Sequence, residues 1–377
     1  MKNSDPLAQT AKAAVAALRA AGHEPLPPGP PSALGDLILG GGTFVDLKDG
    51  KTPRHVLSRI DLATRRIGLA ATAFLPHGVA LDPLDPSRII LFEKIGPGCC
   101  ELDLNTGERT REVAPAEGRW FYGHGAFSPD GKLLYSTETV NSRESGVIGI
   151  RDGRTLEYLG EFPTHGENPH DCHLVDGGRV MVVANGGGTA DSGMQPCVTY
   201  VDVESRKLLE KVEIAGTRFN AGHLALSSTG ELVVVSAPRK GLPVSELGAV
   251  SLRRGHDPLR TAAEPAEIAA RMTGESLSVE MHEASRIAAC THSLGTMVTF
   301  WSLDTLGFLK ALDLPRARGL ALTKDGRHFL VSYNPSTELV MVDPATLEVV
   351  PGSQMSQTFA SGSHLVNWTR AARPPAS

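Results

Sequence analysis

An all-β fold, a seven-bladed β-propeller closed by pairing of its two chain ends, is predicted by three observations on this 377-residue sequence. A phrase of strand-like segments returns with a period of about 45 residues, near the spacing of four-stranded propeller blades. Histidine opens that phrase in five copies, at His77, His124, His170, His223 and His364. The chain ends carry incomplete copies that complement each other.

Residues 5–22 come first, rich in Ala and Leu, with Asp5 and Pro6 placed as N-cap and first helical residue and Gly22 as a stop. They predict a short amphipathic helix. The following HEPLPPGPPSALG is a Pro/Gly linker expected to stay extended, so residues 1–35 read as helix plus linker and the propeller as 36–370. Residues 371–377 read as a frayed tail.

Within the propeller the copies are HGVALDPLDPSRIILFE, HGAFSPDGKLLYSTE, HDCHLVDGGRVMVVAN, HLALSSTGELVVVSA, SLSVEMHEASRIAACTH and GLALTKDGRHFLVSYN. Each alternates apolar and polar residues, turns on a polar segment and continues into a β-rich run. Later segments such as IGIRDGRTLE, VTYVDVESRK and LVMVDPATLE supply a third strand, a tight turn and a fourth strand. Six copies fill about 77–352, by this periodicity. SHLVNWT at the C-terminus resembles a first strand alone, whereas DLILGGGTFVDLKDG and HVLSRIDLATRRIGL resemble later strands without one. Joined, they make the seventh blade and remove exposed sheet edges.

Composition excludes several function classes. Net charge is -5, with 42 acidic against 37 basic residues, which speaks against nucleic-acid or anionic-membrane partners. No apolar run is long enough to span a bilayer. Five cysteines, including the vicinal Cys99-Cys100, fit a reducing compartment. The N-terminus shows neither a secretory nor a twin-arginine signal, so as it stands the chain reads as cytoplasmic.

The functional signal is the histidine series. In a propeller the first strand of each blade lies nearest the axis, so residues at one place on those strands form a ring at one level of the channel. Five convergent imidazoles make a metal site suited to iron or copper, with zinc as a further possibility. Gly319 and a serine near Ser276 stand at the two remaining places, and these gaps predict where a substrate or water reaches the ion. Ligating imidazoles need acceptors on their other nitrogen, for which Glu138, Asn185, Asn334 and Asp171 are candidates. His292 is a sixth, weaker ligand candidate, and His173 is expected on the opposite strand face from His170. His23, His55, His165, His256 and His328 read as ordinary surface or core residues. Gly40–Gly42 and Gly186–Gly188 lack phosphate-loop spacing and read as close packing. Cys172 reads as a small buried thiol. Arg119-Trp120-Phe121-Tyr122 reads as wall packing, with Arg119 able to greet an anion at the channel mouth.

The phrases HGVALDP, WFYGHGAFSPDGKLLYSTE, GVIGIRD, GEFPTHGENPH, GRVMVVANGG, GHLALSSTGELV and SHLVNW resemble the bacterial propeller family known as domain of unknown function 1513, over about residues 36–370. That family is similar in turn to lactonase and nitrite-reductase-type propellers. The resemblance implies seven blades, export by a twin-arginine signal and a setting beside imelysin-like and dihaem-peroxidase-like proteins in iron acquisition. By that analogy the location is periplasmic. The five histidines match the family's recurring ones, and Glu138 matches its acidic residue after Tyr-Ser/Thr-Thr. This chain departs in lacking the signal, in its Cys99-Cys100 pair and in MHEASRIAACTH, which replaces an Asp-Pro-Ser-Gly turn.

Three functions compete on this reading. The first is a transition-metal-binding propeller, for iron or copper, in metal handling or redox chemistry. The second is a metalloenzyme, an oxidase or oxygenase ahead of a hydrolase, acting on a small molecule in the channel with Glu138 as general base. The third is a metal-free interaction scaffold. A lactonase ranks low, because such propellers bring carboxylates and Asn to their ion and this chain offers imidazoles.

Overall fold

The computed structural model describes residues 5–29, 35–141, 145–191, 193–216 and 218–371. The expected frayed tail, apart from Ala371, and residues 30–34 of the linker lie outside them.

Strands that are apolar on both faces must be covered on both, and stacking blades around an axis does this. In blade 2 the second strand, Arg88–Glu93, buries Ile89, Ile90, Leu91 and Phe92 completely. Its fourth strand, Glu108–Glu112, reads ERTRE and faces solvent. The same gradient recurs in seven four-stranded antiparallel sheets, each built from consecutive strands except the first. Blade 1 combines Leu37–Val45, Pro53–Asp61 and Arg66–Thr72 with the C-terminal strand Val366–Asn367. Ile38 pairs with Asn367 and Leu39 with Val366, so the ring closes as the two incomplete copies predict.

The recurring third-strand turn has a physical cause. Asp152 Oδ1 accepts the backbone N–H groups of Arg154 and Thr155 at 2.9 and 2.7 Å, which folds the chain back towards the fourth strand. Gly40–Gly42 serve close packing: a Cβ at Gly41 would stand 1.9 Å from the Pro76 carbonyl oxygen, and one at Gly42 1.8 Å from that of Phe359.

The N-terminal helix, Pro6–Ala20, starts where Asp5 accepts the Leu7 N–H at 3.0 Å and ends before Gly22, whose φ is +79°. It buries Ala13, Ala14, Ala17 and Leu18 on blade 1, packing against Phe44, Val56 and Phe359 and, through Leu18, against Ile60 and Ile67. Small residues allow the close approach, and burial of Leu18 contributes about 2 kcal/mol. The chain then runs extended past blade 1, with the Leu26 N–H bonded to the Ile67 carbonyl at 2.8 Å. No helix of the described residues is long and apolar enough to cross a membrane.

All five cysteines are free and buried. Burial raises the Cys172 thiol well above its ordinary pKa, with Asp171 adding to the effect. That environment disfavours the thiolate that a metal or redox role requires.

Candidate metal centre

The innermost strands of blades 2 to 5 are Pro76–Leu81, Arg119–Phe127, Pro169–Val175 and His223–Leu226, and each carries one histidine of the series. His364 precedes the innermost strand of blade 1. Successive inner strands pack on one another around the axis, and the five rings meet there. The centroids of His77 lie 5.0, 4.9, 5.6 and 4.5 Å from those of His124, His170, His223 and His364. The ligand nitrogens of His77, His124, His223 and His364 all lie within 4.8 Å of one another. His170 adjoins this set, its Nε2 3.2 Å from that of His77.

Hydrogen bonds fix the tautomers of two rings. The Tyr122 carbonyl can only accept, so His170 donates to it through Nδ1–H at 2.9 Å and turns an Nε2 lone pair inward. Ser278 gives its hydroxyl proton to the Ser363 carbonyl at 2.9 Å, so its oxygen accepts from His364 Nδ1–H at 3.2 Å. His364 Nε2 is then also a lone pair, and it lies 3.2 Å from His77 Nε2. Two lone pairs thus converge on one nitrogen, which carries at most one proton and can satisfy only one of them. His124 Nε2 and both nitrogens of His223 are buried without a hydrogen-bond partner among the described residues.

A shared cation would relieve the clash at His77 Nε2 and engage His124 Nε2 and one of the two His223 nitrogens. Two nitrogens bound at about 2.1 Å stand about 3.0 Å apart at a right angle and about 3.4 Å apart at the tetrahedral angle, which brackets the 3.2 Å contacts. Protonation does not serve instead, because burial first, and then the proximity of the other rings, holds His77, His223 and His364 well below the ordinary histidine pKa. Burial likewise brings His170 down to about 3. The imidazoles are therefore neutral at pH 7, the form that binds metal.

The gaps have structural identities. The backbone N–H groups of His124, Ser278 and Gly319 each bond to a second-strand hydroxyl, of Thr137, Thr291 and Ser332 respectively, so these three occupy one position in their blades. The serine at the missing place in blade 6 is Ser278, and its hydroxyl orients His364. Gly319 in blade 7 places no side chain there. A cavity of about 730 Å³ opens at this level, lined among others by His170, Trp120, Tyr122, Glu275 and Arg318. A smaller one of about 310 Å³ is lined by His77, Lys94, Glu275 and Arg318.

Several of the other expected residues have partners of their own. Glu138 is fully buried, where it pairs with Arg151 at 2.5 Å and accepts from the Ser136 hydroxyl at 2.7 Å, and among the described residues it makes no hydrogen bond or ion pair to the cluster. His292 is no ligand candidate, because Ser276 and Thr299 occupy its two nitrogens at 2.9 and 2.8 Å. Asn185 bonds to Val183 and Thr199, and Asn334 sits in a turn with φ +64°; neither side chain meets an imidazole of the cluster among the described residues. Asp171 is the candidate acceptor that does reach the cluster, 3.7 Å from His124 Nδ1, and it also accepts from His173 at 3.1 Å and from the Leu224 N–H at 3.0 Å. Arg119 is not available to an anion, since both of its bonds go to Glu161 at 2.9 and 2.6 Å. Wall packing describes Phe121, which is fully buried, but Trp120 is 45% exposed and faces the larger cavity.

A ring of imidazoles on the axis of a seven-bladed propeller defines a candidate metal-binding propeller. The chain belongs to the family described as "Protein of unknown function (DUF1513)", which matches residues 72–366. No curated protein matches the sequence. Among solved structures, the chain is similar to Kuenenia stuttgartiensis hydrazine synthase, with 16% identity, a TM-score of 0.58, and coverage of 78% of this chain and 93% of that one. It is also similar to dihydro-heme d1 dehydrogenase NirN in complex with DHE, with 14% identity, a TM-score of 0.57, and coverage of 92% of this chain and 78% of that one. At these identities the likeness shows the fold.

Proposed function

We propose that the propeller binds one transition-metal ion, iron or copper, through His77, His124, His170, His223 and His364, and uses it in redox chemistry. The carrying observation is the convergence of the His170 and His364 lone pairs on His77 Nε2 at 3.2 Å, which a cation relieves and a proton shared among three rings does not. An all-nitrogen donor set with no carboxylate among its inner members favours these ions over magnesium or calcium. When bound, the ion would supply Lewis acidity or a one-electron couple.

The cavity favours an enzyme over a storage site. The larger cavity reaches His170 and a smaller one reaches His77, and both are lined in part by Glu275 and Arg318 of blades 6 and 7, which contribute no imidazole of the series, so a small molecule can approach the ion there. A propeller of similar fold bears the name of a dehydrogenase, which is consistent with redox work on this scaffold. Reconstitution of the metal-stripped protein with Fe(II), Cu(II) or Zn(II), followed by metal analysis after gel filtration, tests the reading. One ion per chain, lost on replacing His77 and His223, supports it. No uptake by the folded protein overturns it.

A further inference from the structure

Two of the charged residues that line the cavities, Glu275 and Arg318, stand on the blades where the imidazoles are missing. Arg318 directly precedes Gly319, and Glu275 comes shortly before Ser278, so the two blades without a histidine of the series present a cation and an anion there. Lys94, from blade 2, closes the trio with a 3.1 Å ion pair to Glu275. Lys94, Glu275 and Arg318 line both cavities, and the Lys94 charge is felt at His124, His170 and His364.

Arg318 feels the Glu275 carboxylate only at longer range. Its bonds to the Gly362 carbonyl and the Ser363 hydroxyl are long, at 3.3 and 3.4 Å, and it forms no ion pair within 4.0 Å among the described residues. In the larger cavity Lys94, Lys240 and Arg318 stand against Glu275 alone, whereas in the smaller one Lys94 and Arg318 are balanced by Glu93 and Glu275, so the excess of positive charge beside the neutral imidazoles lies in the larger cavity. Part of its wall is apolar and open to solvent: Ile95, Trp120, Val244 and Leu294 are 46%, 45%, 82% and 53% exposed, and all four line the larger cavity. Large apolar side chains gathered in a cavity that also holds an excess of cations fit a ligand with an apolar body and an anionic end.

We propose that this cavity binds an organic acid with an apolar, preferably aromatic body, its carboxylate held by Arg318 and Lys94 and its body against Trp120 and Ile95. This names the substrate class for the metal site above and rests on that reading for its chemistry, though not for binding. Arg318 suits the task because a guanidinium meets a carboxylate in a two-point fork.

The test is isothermal titration of the purified chain, metal-free and metal-loaded, with 3-phenylpropionate, 3-phenylpropanamide and acetate. The acid is expected to bind at least ~10-fold more tightly than the neutral amide, and than acetate, because only it engages both the charge and the wall. Arg318→Gln erases the preference for acid over amide, Arg318→Lys retains part of it, and Trp120→Ala brings the acid towards acetate, with melting temperature and metal content followed for each. Equal binding of acid and amide, a preference that survives Arg318→Gln, or no binding of the acid by the folded wild-type chain overturns the proposal. Acid preference without metal uptake would remove the metal reading alone, and metal uptake without acid preference would remove this one alone.

Discussion

Replacing His223 with leucine separates a metal ligand from a structural residue. The imidazole is 3% exposed, and neither of its nitrogens has a hydrogen-bond partner among the described residues. An unsatisfied buried polar atom costs about 1–3 kcal/mol, and leucine is apolar and of similar volume. Relief of two such atoms, set against imperfect repacking, leaves the metal-free variant more stable by about 2 kcal/mol. With an unfolding entropy of about 2.1 cal/mol/K per residue, a chain of this length gains about 3 °C in melting temperature. Metal affinity moves the other way and falls at least ~100-fold, since a ligand is lost where even an outer partner is worth about 10–100-fold. Scanning calorimetry on stripped protein and competition with a chelator measure the two quantities. A metal-free variant destabilised by about 2 kcal/mol or more, or one that keeps wild-type metal affinity, would refute the assignment, because an imidazole that bonds blades together must cost stability when removed.

Three further outcomes follow from the same geometry. His170, His77, His223 and His364 have folded pKa values below the unfolded 6.5, so the unfolded chain binds more protons below that pH and the stability of the metal-free protein falls as pH drops. Each such ring contributes a loss of about 1.4 kcal/mol at pH 5.5, readable as a falling melting temperature that bound metal suppresses; a flat profile from pH 7.5 to 5.5 contradicts the neutral cluster. Ser278→Ala frees the Nδ1–H of His364 and lowers metal affinity about 10–100-fold without loss of fold, and an unchanged chelator competition curve would count against this tautomer. Glu138→Gln leaves Arg151 buried without its counter-charge and destabilises by about 3–5 kcal/mol, while metal stoichiometry stays unchanged. A selective loss of metal in that variant would restore Glu138 to the site.

The seven blades and the closing pair at Ile38 and Asn367 were legible because blade packing imposes a repeated apolar pattern and the same turn chemistry on every copy. The imidazole ring was legible for the same reason, since equivalent places on inner strands meet on the axis. The partners of the ring were not. Periodicity predicts where a side chain starts and not what it bonds, so Glu138, at the end of a second strand, looked available although Arg151, on the next strand, captures it. His292 looked like a ligand by the same logic, yet the hydroxyls of Ser276 and Thr299 close both of its nitrogens. Register shifts between Pro76 and Gly78 and between Ser276 and Val279 moved the blade equivalences by a residue or two, which hid Ser278 behind Ser276. Arg318 carried a usable signal, as a cation immediately before the one glycine in the histidine series.

X-ray absorption at the metal edge of the reconstituted protein tests the central claim most directly. The account predicts an ion surrounded by four or five nitrogens at about 2.0–2.2 Å with the outer scattering of imidazole rings, and a shell that loses nitrogen in His77→Ala. A shell dominated by oxygen or sulfur, or one left unaltered by that substitution, would place the ion elsewhere and contradict the axial ring as its site.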